Sequence, residues 1–187
     1  MKKILFIIMI TVMNMTGAFA KADVKLIKGS LLPLKGSNAK VIVQWDYSNS
    51  TIEGKEPKAF LKEKGEEWKH DYQAEIIRAE ENFIERINEK TKDIFAIKEN
   101  TGAVYKIIIK VKDFNYGSTG VSVIIGFGAG DAHLSGTMEI YKIETATPVA
   151  IIDIDGVPGA GFGNEKRRVE TYRELAEQLV KLIKKAK

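Results

Sequence analysis

No cysteine occurs among the 187 residues, and histidine and proline are scarce, with two of the first and four of the second. The missing thiol excludes a disulfide framework, a cysteine nucleophile and a thiolate metal site. It also excludes the lipid anchor that exported bacterial proteins carry on a cysteine just behind their signal. Neither His70 nor His133 stands in an H-E-x-x-H pattern, and there is no G-x-S-x-G elbow. The zincin and nucleophile-elbow signatures are therefore both missing. Charge of one sign is lacking too. The chain has 29 basic and 25 acidic residues, and the signs alternate along stretches such as Lys62-Glu63-Lys64. That describes a solvated helix face and not a nucleic-acid footprint. Beyond residue 20 no apolar run is long enough to span a bilayer.

What the chain does have starts at its first residue. Met1-Lys2-Lys3 is charged, Ile4 to Met13 is almost wholly apolar, and Ala18-Phe19-Ala20 sets small residues at −3 and −1 of a cleavage point. This is the three-part pattern of a secretory signal peptide over residues 1–20. The expected product is periplasmic or secreted and begins near Lys21. Losing Lys2 and Lys3 leaves 27 basic against 25 acidic residues, close to neutral. Residues 21–187 suit a single domain large enough to fold on its own core.

The periodicity alternates between strand and helix. Lys40 to Tyr47 places Val41, Val43, Trp45 and Tyr47 on one face, a strand pattern, and Val24 to Ile27 is a short apolar stretch that stops at Gly29. From Pro57 to Lys90 the period becomes helical, interrupted at Gly65. Ile76, Ile77, Phe83, Ile84 and Ile87 form a stripe, and Trp68 and Tyr72 sit at the junction of a short and a long helix. Val104 to Phe114 alternates again, with Tyr105, Ile107, Ile109 and Val111 opposite Lys106, Lys110 and Lys112. Val121 to Ile125 is a short apolar run. Ala132 to Ile143 and Val149 to Asp155 read as a hairpin, with Leu134, Met138 and Ile140 inward. The last helix has Asn164 as its expected N-cap and a buried stripe from Val169 to Ile183. The order β-α-α-β-(β)-β-β-α predicts an α+β fold: a mostly antiparallel twisted sheet of about five strands with helices packed mainly on one face.

Two glycine clusters draw attention. Gly126-Phe127-Gly128-Ala129-Gly130 leads through Asp131 into a strand. A phosphate cradle must open a helix instead. Gly159-Ala160-Gly161-Phe162-Gly163 does open a helix, with Lys166, Arg167 and Arg168 in its first turn. Cations there are unfavourable unless something negative sits beside them. Asp153-Ile154-Asp155-Gly156 starts like a calcium loop, but counting on puts Pro158 where the loop needs glycine. His133 shares a face with Ser135, Thr137 and Glu139. At the other end of the chain, Lys181, Lys184, Lys185 and Lys187 complement a helix dipole, with a membrane or polyanion patch as the alternative. Candidate binding residues are Gly126, Gly128, Gly130, Asp131 and His133 in the first cluster, and Gly161, Gly163, Arg167 and Arg168 in the second. No catalytic residue, metal ligand or cofactor is expected.

The stretches V-I-V-Q-W-D-Y-S-N-S (41–50), G-F-G-A-G-D-A-H-L-S-G (126–136) and M-E-I-Y-K-I-E-T-A-T-P-V (138–149), with the closing R-R-V-E-T-Y-R-E-L-A helix, resemble uncharacterised exported α+β domains of Gram-negative bacteria. Secreted proteins and lipoproteins of unknown function are among those domains. The resemblance implies a strand, helices, a meander and a terminal helix, and no activity. The leading expectation is thus an exported, non-enzymatic protein that binds another protein or an envelope or surface polymer, with no nucleic-acid partner, no membrane span and no lipid anchor. An apolar edge run such as Val121 to Ile125 suits pairing with a partner strand. One alternative is a hydrolase of envelope polymers using Asp131, His133, Asp153 and Asp155. Another is an anion or small-ligand binder at Gly159–Arg168.

Overall fold

The computed structural model describes residues 23–118 and 130–187. The expected signal peptide, the run Val121 to Ile125 and the glycines Gly126 and Gly128 lie outside the described residues. In chain order the elements are β1 (Asp23–Gly29), β2 (Ala39–Asp46), β3 (Thr51–Ile52), α1 (Pro57–Lys64), α2 (Glu66–Lys90), β4 (Ile94–Ile97), β5 (Tyr105–Asn115), β6 (Ala132–Lys142), β7 (Ala150–Gly159) and α3 (Asn164–Lys185). The fold is α+β, as the alternation of periods implies.

The sheet differs from the expectation in two respects. Among the described residues it has seven strands, ordered β1-β7-β6-β5-β2-β4 with β3 against β5, and it is mixed rather than mostly antiparallel. β5–β6, β6–β7 and β7–β1 run antiparallel. β2 runs parallel to both β4 and β5, and β3 runs parallel to β5. The cause is the crossover. Leaving β2 through α1 and α2 returns the chain to the same end of the sheet, and such a connection yields parallel neighbours. The unexpected strands are β1, where the sequence shows only a short apolar stretch, and two short ones. β4 has four residues, with Ile94 and Ala96 buried and Phe95 outward, and β3 has two.

All three helices among the described residues pack on one side. α2 buries Ile76, Ala79, Phe83 and Ile87. α3 buries Tyr172, Leu175, Ala176, Leu179, Val180 and Ile183. They meet the inward rows of Val41, Val43, Ile107, Ile109, Leu134, Met138, Ile140, Ile152 and Ile154 in one core. Ile77, expected in the α2 stripe, is turned outward and 39% exposed. Trp45 lies edge-on to Phe83 at 5.3 Å and stacks on Tyr172 at 4.5 Å, which joins β2 to both long helices. Trp68 closes the α1–α2 junction against Phe60 (5.6 Å) and Tyr116 (5.1 Å).

α2 and α3 run side by side in the same direction. Arg78, midway along α2, pairs with Glu165 at the start of α3, Arg86 with Glu177 farther along, and Lys184 Nζ donates to the Lys90 carbonyl at their ends (2.8 Å). Both C-termini therefore open at one pole of the molecule. α3 begins one residue earlier than a cap at Asn164 implies. Gly163 occupies the N-cap at φ 86°, a conformation that suits glycine, and Asn164 is the first helical residue.

Candidate functional site

The basic residues at the start of α3 are buried. Arg168 is 1% exposed and Arg167 4%. Arg168 Nε donates to Glu75 Oε1 (2.5 Å) and its Nη2 to the Tyr116 hydroxyl (2.7 Å), which itself donates to Glu75 Oε1 (2.7 Å). The guanidinium lies 3.9 Å from the Phe114 ring centre and 5.2 Å from that of Tyr72. Burial alone disfavours its charge, but the neighbouring Tyr172, Tyr116 and Glu75 outweigh that and raise its affinity for the proton. Burial likewise pushes the Tyr116 hydroxyl well above the usual phenol range.

Arg167 Nε donates to the Gly161 carbonyl (2.9 Å) and Nη1 to the Tyr116 carbonyl (2.8 Å), which fixes the second glycine cluster to the end of β5. The negative partner that cations at this helix start require is thus the side chain of Glu75, and the carbonyls of residues 161 and 116 supply the rest. Gly161 and Gly163 shape the turn. Gly130 closes the first cluster, its carbonyl accepting from the Ser118 N–H (2.9 Å).

The opposite face of the sheet carries no helix among the described residues. Register places its side chains in rows. Asp46, Lys110, Thr137, Asp153 and Lys25 form one, and Gln44, Ile108, Glu139 and Ile151 another. Lys110 Nζ donates to Glu139 Oε1 (2.7 Å) and the Tyr141 hydroxyl to Glu139 Oε2 (2.6 Å). Burial pushes the Glu139 carboxyl up, but these two donors prevail and hold it below its usual range. The bond to Glu139 raises Lys110 in turn. At Asp46, the hydroxyl and backbone N–H of Ser48 lower the carboxyl.

Two register shifts bend this face at one level, between Val111 and Asp113 and between Leu134 and Gly136, and a third, between Leu26 and Lys28, lies farther along, opposite Ile151 and Ile152. Bulges of this kind increase local twist. Gly136 lies at the bend, where an added Cβ would come within 2.2 Å of the Lys110 carbonyl oxygen. The result is an open groove of about 690 Å³ lined by Lys110, Lys112, Asp113, Ser135, Thr137, Asp153 and Asp155, with Asn49 at its rim.

The residues of the hydrolase alternative are split between surfaces. Asp153 and Asp155 line this groove. Asp131 opens instead onto a shallow hollow beside Lys166, Glu170 and Glu174 of α3. His133 sits between Asn115 and Pro158 in the register and lines neither hollow, and its Nδ1 is buried without a hydrogen-bond partner. His70 is exposed beside Asp71 (2.8 Å). No group of three or more acidic or histidine side chains able to hold a metal occurs among the described residues. No helix of the described residues is long and apolar enough to cross a membrane.

Sequence reading missed the second half of the buried network, Glu75 and Tyr116. Glu75 precedes Ile76 in the α2 stripe, so the i, i+3, i+4 count already placed a carboxylate at the edge of the core. A second unforeseen cluster joins β2 to both long helices. The Tyr47 hydroxyl donates to Glu80 (2.9 Å) and shares a hydrogen bond with the Tyr172 hydroxyl (3.1 Å). Burial raises both phenols and the Glu80 carboxyl.

No protein-family model matches the chain, and no curated protein matches it. Among solved structures it is similar to the PelC dodecamer from Paraburkholderia phytofirmans, at 12% identity over 83% of this chain and 96% of that one, with a TM-score of 0.40. A PelC dodecamer from the same organism carrying a point substitution aligns at 14% identity over 83% and 95%, with a TM-score of 0.38. Likeness at this level carries no argument about what this chain does.

Proposed function

We propose that the chain is an exported, non-enzymatic binding protein whose helix-free sheet face docks another protein of the cell envelope. The observation that carries this reading is the contrast between the two faces of the sheet. One is sealed by α1, α2 and α3. The other carries charges of both signs, with Lys110 held against Glu139, and is bent into a groove at Gly136. Charges of both signs on one face favour a partner with its own alternating charges, because they set orientation and exclude wrong partners. The division of Asp131, His133, Asp153 and Asp155 among separate surfaces favours binding over hydrolysis.

A photoreactive residue placed at Lys112, in the groove, and another at Lys181, on α3, separates these readings in living cells. Discrete, protease-sensitive adducts are expected from position 112 and not from position 181. Adducts that resist protease, or that form equally from both positions, would count against a protein partner on this face.

Export makes its own prediction. Mass analysis of the protein recovered from producing cells is expected to show Lys21 as the first residue, in the periplasm or the medium. Intact Met1 on cytosolic protein would refute it.

A further inference from the structure

The pole where α2 and α3 end gathers features that the sheet-face reading does not use. Lys90, Lys184, Lys185 and Lys187 come from the helix C-termini, while Lys35 and Lys92 reach it from loops, and all six are exposed. Lys35 Nζ donates to the Ala186 carbonyl (2.8 Å), which ties the 30–38 segment to the end of α3. Of the acids nearby, Glu177 and Glu89 pair with Arg86, and Asp93 accepts from Thr91 and from the Gly36 N–H, while Glu144 stands exposed beside Ile143. Complementing two helix dipoles accounts for the lysines in the last helical turns. The same role covers Lys35, through its bond to the C-cap carbonyl of Ala186, but not Lys92.

Apolar side chains stand at the same pole. Leu32 is 51% exposed, Val104 43% and Ile143 39%. The Ile143 N–H donates to the Val104 carbonyl (3.0 Å), the Ser30 N–H donates to the Val149 carbonyl (3.0 Å), and the Tyr105 hydroxyl reaches the Pro33 carbonyl (3.5 Å). These contacts hold the three tips together on the rim of the sheet beside the lysines. A rigid end with projecting aliphatic tips and flexible ammonium groups around them matches the interface of a bilayer. Lysine heads meet anionic headgroups there while apolar tips enter the acyl boundary.

We propose that this pole is a docking surface for an anionic membrane, separate from the groove around Gly136. The test uses the chain beginning at Lys21. Every buried core residue among those described lies at Leu31 or beyond, so nothing of that core is removed. Co-sedimentation is measured with vesicles of phosphatidylcholine alone and of phosphatidylcholine mixed with phosphatidylglycerol. Binding to the anionic vesicles is expected to exceed binding to neutral ones by about tenfold or more, and to weaken as salt rises. K184E/K185E/K187E and, independently, L32D/V104D are each expected to lower it by about tenfold, with far-ultraviolet dichroism and melting curves showing both variants folded. Absence of a preference for anionic vesicles overturns the proposal. So does binding that responds to the lysine reversal but not to L32D/V104D and is displaced completely by heparin, which would mark the pole as a polyanion site.

Discussion

Replacing Arg168 with methionine is expected to destabilise the fold by about 3–5 kcal/mol, because it strands the buried Glu75 carboxylate without its cation. For a domain of this size that corresponds to a fall in Tm of roughly 10 °C or more. Glu75 Oε1 accepts from both Arg168 Nε and the Tyr116 hydroxyl, and Glu75 is only 6% exposed. Removing the arginine also takes the flat cation from between the Phe114 and Tyr72 rings. The same reasoning predicts strong non-additivity. Glu75→Leu combined with Arg168→Met removes both charges together and is expected to recover most of the loss, since a buried pair contributes little net stability over an apolar pair of similar volume. Urea melts of the two single variants and the double variant measure this directly. Additive losses would show that the pair does not act as a unit. If Arg168 bound a solvent anion instead, its removal would alter anion-dependent melting and leave the anion-free stability nearly unchanged.

Gly159→Ala is expected to cost about 2–3 kcal/mol, near the upper end for overpacking, since the clash takes in backbone atoms of α3 as well as the Thr171 hydroxyl. A Cβ at this position would lie 1.9 Å from Thr171 Oγ1, 2.2 Å from the Arg167 carbonyl oxygen and 2.7 Å from the Thr171 amide nitrogen. β7 and α3 touch there backbone to backbone, so the helix must move away from the sheet, and its buried row from Tyr172 to Ile183 moves with it. Gly102→Ala provides the comparison. That glycine has φ 74° but open space around it, so its cost is expected to be about 1 kcal/mol, from backbone conformation alone. Thermal melts of the two variants separate close approach from conformational preference. Equal losses would defeat the explanation.

Periodicity made most of the fold legible. The alternation over Lys40 to Tyr47 and Val104 to Phe114, the stripe of the last helix and the hairpin from Ala132 to Asp155 each name an element found in the structure. Strand direction was not legible. Side-chain alternation is the same in parallel and antiparallel strands, and only the long helical crossover between β2 and β4 carries that information. β4 stayed hidden because four residues hold barely one alternation. At the candidate sites, composition identified Arg167 and Arg168 as cations in need of a negative partner, but not which one. The answer, Glu75, stands 93 residues away in sequence. The groove at Gly136 was illegible for another reason. It arises where two adjacent strand pairs slip by a residue, and slippage leaves no trace in a hydrophobic pattern.

The mixed sheet also implies an order of assembly. β6 and β7 are joined by a short turn and find each other locally, while β2 acquires β4 only after the whole α1–α2 segment has been laid across the sheet. Closing the longer loop requires more chain entropy to be surrendered before any contact compensates it. The antiparallel half is therefore expected to form early and the parallel half late, with β5 as the seam between them. Amide protons of β6 should be slow to exchange with solvent, and those of β4 fast.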